Sequence, residues 1–83
     1  MSERNPDYLV ILEEVLLAAR QNGIEAGFGA GETDRGRAFA YHDVLSVAIE
    51  QAQLLGVPLS DIGLADFDPD REVLHVKVKQ RAA

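Results

Sequence analysis

Ile24-Glu25-Ala26-Gly27-Phe28-Gly29-Ala30-Gly31-Glu32-Thr33-Asp34-Arg35-Gly36-Arg37-Ala38-Phe39-Ala40-Tyr41 is the stretch on which the fold turns. Ile24, Ala26, Phe28 and Ala30 alternate with Glu25, Gly27, Gly29 and Gly31, which is the two-residue period of a strand. Glu32–Gly36 is a polar, turn-like cluster, and Arg37–Tyr41 supplies a returning strand. The spacing therefore predicts a β-hairpin over 24–41. A Gly-rich loop is the alternative, because interior glycines weaken a strand and pack nothing.

Upstream, Asn5 and Pro6 have the residue types of an N-cap and a first helical position. A helix is expected over Pro6–Asn22, with Gly23 in the left-handed C-terminal position and Ile24 packing back. Tyr8, Leu12, Val15, Leu16 and Ala19 share a broad apolar face at helical spacing. Val10 and Leu17 lie seven residues apart in the opposite, polar arc. Either both are ordinary exposed apolar residues, or the helix is covered on two sides. The second reading makes another copy of the chain the cover, because one small domain has little material to provide it.

Downstream, Tyr41, Val44, Leu45, Ala48, Ala52 and Leu55 place a second amphipathic helix from Tyr41 or His42 to Gly56, closed off by Pro58. Leu64–Phe67 and Glu72–Lys79 then read as two strands around an Asp68-Pro69-Asp70-Arg71 turn. The expected fold class is α+β, in the order α-(β-β)-α-β-β, with two helices on one face of a small antiparallel sheet.

The 83 residues allow one domain with a thin core. Residues 1–5 and 80–83 are expected to be flexible ends. Without cysteine there is no disulfide, thiolate nucleophile or Cys-based metal site. The start is polar and the longest apolar runs span five residues, so neither a secretory signal nor a membrane span is expected, and the default address is the cytoplasm. The net charge is −6. Residues 1–70 carry 13 acids and 4 bases, while Arg71, Lys77, Lys79 and Arg81 make the C-terminal end basic. An acidic body repels phosphate, which argues against direct nucleic-acid binding and favours a basic protein partner.

The chemistry-bearing motifs fail on detail. Gly27-Phe28-Gly29-Ala30-Gly31 lacks the third glycine of a dinucleotide fingerprint, having Glu32 there. Gly31–Ala38 has Walker-like glycine spacing, but Arg37 and Ala38 stand where Lys and a hydroxyl residue are required. Asp66, Asp68 and Asp70 resemble the opening of a calcium loop, yet Arg71 and Lys77 occupy its sixth and twelfth positions. His42 and Ser46 are one helical turn apart, with nothing to orient them as a base and nucleophile.

The sequence thus predicts no enzyme, no cofactor and no metal site. It predicts an acidic interaction module, a regulator, inhibitor or accessory subunit that acts by binding a protein and pairs as a homodimer. Val10, Leu17, Phe28, Phe39 and Tyr41 are its candidate contact residues, the aromatics because such side chains anchor interfaces. The competing expectation is a small-ligand or divalent-metal domain built on segment 27–31 or on the Asp66/Asp68/Asp70 turn.

Overall fold

Helix α1 begins at Pro6, where a missing N–H costs nothing, and runs to Gly27. Helix α2 spans Glu32–Leu55. These bounds come from a computed structural model that describes residues 6–75. A single 3₁₀ turn, Leu59–Ile62, and a one-turn helix α3, Pro69–Glu72, complete the elements. α1 and α2 pack side by side as an antiparallel helical hairpin, and residues 57–75 run back across both helices as a strap. The Cα trace is 14 Å through its thinnest dimension. At about 8–10 Å between packed layers, that is room for the hairpin and one covering layer.

The α+β expectation is overturned: among the described residues there is no strand. The 24–41 segment is the end of α1, a four-residue turn and the first half of α2. Gly23 does not stop the helix. It is buried against Tyr41, Leu45 and Val73, and α1 continues one more turn to Gly27. Glycine costs about 1 kcal/mol in a helix relative to alanine, but here the absence of a side chain is what allows contact. A Cβ on Gly27 would collide with the backbone carbonyl of Val73, so only glycine lets the strap lie against α1 at that point. The cluster Glu32–Gly36 is the opening of α2, with Glu32 and Asp34 in the first turn, where the helix dipole favours acids. The alternation over 24–30 is a coincidence of small and large residues that runs from the last turn of α1 into the connection to α2.

The C-terminal hairpin is overturned as well. Leu64 and Phe67 are both buried, three residues apart, with the Phe67 N–H donating to the Leu64 carbonyl at 3.3 Å. A strand would send them to opposite faces. Asp66 sits between them at φ 57°, a left-handed turn position. The Asp-Pro-Asp-Arg segment starts α3: Asp68 accepts from the Asp70 N–H at 3.1 Å, and its own N–H donates to Glu72 Oε2 at 3.1 Å. This reciprocal pair caps the turn. The remainder of the expected last strand, Val76–Lys79, and the Asn5 cap, residues 1–5 and residues 80–83 lie outside the described residues.

The core explains why the strap is needed. Among the described residues, four of the ten buried hydrophobic ones are alanines, and all four lie in the hairpin: Ala19 and Ala26 on α1, Ala38 and Ala52 on α2. They permit close helix approach but bury little area. Most of the bulk comes from the strap, as Ile62, Leu64, Phe67 and Val73. Each large side chain contributes roughly 1.5–3 kcal/mol when fully covered. Arg20 fastens the strap by donating to the Gly63 carbonyl at 3.0 Å while lying over the Phe67 ring at 4.8 Å. Gly56 closes α2 in a left-handed conformation, as its position before Pro58 implies.

Candidate functional site

Each long helix carries two apolar seams at three-four spacing, and the fold uses one of each. Leu16, Ala19, Gly23 and Ala26 on α1 meet Tyr41, Leu45, Ala48 and Ala52 on α2 inside the hairpin. The second seams are Tyr8, Ile11, Val15 and Ala18 on α1, and Ala40, Val44, Val47 and Leu54 on α2, the latter interrupted by the polar Gln51. They lie beside the first, on the side of the hairpin away from the strap, as the helical period requires.

Tyr8, Ile11, Leu12, Val15, Val44, Val47, Leu54 and Leu55 are 42–76 % exposed there. At roughly 100 Å² of exposed surface each, they offer on the order of 800 Å². The largest apolar patch on a typical monomer is about 300–600 Å², and one side of a standard protein–protein interface is about 800 Å². Toward the open end of the hairpin the surface dips into an apolar groove of about 220 Å³, walled by Leu12, Gln51, Leu55 and Val57.

The rims of this face are acidic. Glu14 and Glu25 lie along the outer edge of α1; Glu32, Asp43 and Glu50 lie along the outer edge of α2, and all are exposed. Among the described residues neither outer rim carries a lysine or arginine. Arg20 is tied to the strap, and Arg35 faces the strap side at the turn. Arg37 stands near the loop end, 3.4 Å from Asp34.

A second concavity, of about 470 Å³, lies around the Gly-rich turn. Ala26, Ala38 and Val73 line it together with Arg35, Phe39 and His75. The Phe28 ring packs on His75, centroids 4.9 Å apart. This is the only part of the 27–31 expectation that acquires a shape.

The sequence-derived contact residues are scattered rather than gathered. Val10 is exposed on the outer edge of α1. Leu17 is half-buried beneath Gly63 of the same chain. Phe28 is exposed at the end of α1, Phe39 lines the second concavity, and Tyr41 is half-buried against the core. Of the two residues for which a second cover was inferred, the strap reaches Leu17 and leaves Val10 in solvent. Asp68 caps α3 and Asp70 Oδ1 pairs with His42 Nε2 at 2.5 Å, so His42 is directed to α3 and not to Ser46. Among the described residues, no group of three or more His, Asp or Glu side chains is placed to hold a metal ion.

The residues missed by the sequence reading are Ile11, Val47 and Leu54. Their signal was the width of the apolar faces: both helices are greasy over more of their circumference than one packing partner covers. No family model, curated protein or solved structure matches this chain. Among the described residues no helix is long and apolar enough to cross a membrane.

Proposed function

We propose that the chain is a non-enzymatic interaction module, working as a regulator, inhibitor or accessory subunit by presenting the open face of its helical hairpin to a macromolecular partner. The observation that carries this reading is the apolar surface formed by Tyr8, Ile11, Val15, Val44, Val47 and Leu54, which the chain's own strap leaves uncovered. A helical element of another protein and a second copy of this chain both have the shape such a face accepts. The test is the double substitution Val15→Glu with Val47→Glu. Both sites are solvent-facing, so helicity by circular dichroism is retained. Proteins captured by the wild type and lost with the variant support the reading. An unchanged set of captured proteins, together with an unchanged sedimentation coefficient, overturns it.

A second reading, a small-ligand domain, is favoured by the concavity at the Gly-rich turn, where Arg35 and His75 stand over an apolar floor. A ligand bound only by the folded state raises the melting temperature. A thermal-shift series with nucleotides, calcium and magnesium that moves nothing removes this reading.

A further inference from the structure

We propose that the open hairpin face receives a basic amphipathic helix from a partner protein, and that the carboxylates along its two outer rims select that helix over a second copy of this chain. The inference rests on the open face being the binding surface, as read above.

The shape comes first. Two parallel seams of apolar side chains, one on each helix, leave a trough between them. A helix of about 20 residues, roughly 30 Å long, spans it. Such a helix would insert leucine-sized side chains between Ile11 and Val15 on one bank and Val44 and Val47 on the other. The three-four spacing of both banks matches the repeat of a helical knob row.

Charge then chooses the occupant. Asp43 and Glu50 stand seven residues apart, and Glu32 eleven residues before Asp43, so the three form one line along α2. Glu14 and Glu25 are likewise eleven residues apart on α1. These lines hold the flanking positions that set partner choice when helices pack along an apolar seam. If two copies stacked face to face as a four-helix bundle, each outer rim would meet an outer rim of the other copy. That holds whether the twofold axis runs along the helices or across them within the interface. Every such arrangement sets carboxylates against carboxylates with no described base on either rim to answer them. A lysine- or arginine-flanked helix meets the same rims with attraction.

The full chain is titrated, by fluorescence anisotropy, against three synthetic peptides of 21 residues. One has leucine at heptad core positions flanked by lysine. The second keeps the leucines and has glutamate flanks. The third is a scramble of the first. Expected is binding of the leucine–lysine peptide at least ~10-fold tighter than of either control, the margin narrowing as salt rises and screens the rims. Val15→Glu with Val47→Glu abolishes it. Glu14→Lys, Asp43→Lys and Glu50→Lys together shift preference toward the leucine–glutamate peptide.

Equal binding of the scramble overturns the inference, since the face would then not be read as a helix site. Equal binding of the leucine–glutamate peptide overturns it too, since the rims would not select. A wild-type chain that sediments as a dimer at neutral pH and becomes a monomer with Val47→Glu keeps the open face as an interaction surface but overturns the basic helix as its occupant. A monomer that binds none of the peptides overturns the inference, and if face substitutions also leave its captured proteins unchanged, the proposed function falls with it. The wild-type comparison among peptides decides even if a charge-reversed variant fails to fold.

Discussion

The two faces of the hairpin are built from the same kinds of residue and have opposite fates. On the covered face, Leu17 tucks under Gly63, Val73 lies against Gly23 and Gly27, and Arg20 reaches across to the strap. On the open face, Ile11, Val15, Val47 and Leu54 stand in solvent. Hydrophobicity does not separate them. What differs is relief: the covered face has glycines where backbone must approach backbone, and the open face presents protruding branched side chains. A surface made for the chain's own backbone is flat and small-residued, while the other is ridged, as a surface for side chains of a second helix is.

The comparison can be broken at several points, and the largest effect is expected at the hinge of both faces. Leu45 is fully buried between the helices. Leu45→Ala should cost about 2–5 kcal/mol and lower the melting temperature by roughly 10 °C or more, read by calorimetry. A loss below about 1 kcal/mol would mean the hairpin is not the load path of the fold.

Next comes the covered face itself. Gly27→Val places a branched side chain against the Val73 carbonyl, and overpacking of this kind costs about 1–3 kcal/mol. Its signature is local: amides of 59–74 should lose hydrogen-exchange protection before those of α1 and α2 do. Simultaneous loss across the whole chain would show that strap and hairpin unfold as one unit.

Arg20→Ala removes the bond to the Gly63 carbonyl and the contact with the Phe67 ring, for about 1–2 kcal/mol by urea denaturation. His42→Ala removes the pair with Asp70, whose side chain is largely exposed, and should cost under ~1 kcal/mol. The smallest effect belongs to the open face. Val47→Glu should change stability by no more than about 0.5 kcal/mol, because its side chain already meets water. A destabilisation as large as that of Arg20→Ala would show that this face is covered in solution, and the comparison between the faces would lose its meaning.

Part of this was legible in advance. Pro6 marked the start of α1, Gly56 with Pro58 marked the end of α2, and Leu16, Ala19, Leu45 and Ala52 fell on buried faces, whereas Tyr8, Leu12, Val15, Val44 and Leu55 of the same expected stripes stand exposed. Gly23 and Gly27 are misread in sequence because their local cost is visible there and their compensation is not. Gly23 and Gly27 are explained by Val73, some fifty residues away. The same holds for Leu64 and Phe67, whose strand-like neighbourhood conceals a turn that points both inward. In the candidate surface, Val10 and Leu17 drew attention by sitting in a polar arc. Val15 and Val44 read as core-facing stripe residues, and Ile11 and Val47 beside them were not singled out.

The helical period of 8–19 and 41–55, the stop at Gly56 and the acidic balance are properties of neighbouring residues, so the order of residues alone settled them. Which apolar seam is buried depends on how the helices face each other and on where the strap lies. That choice is made by contacts between segments far apart in the chain, where a missing side chain at Gly27 counts for more than its helix propensity, and only the assembled tertiary structure contains it.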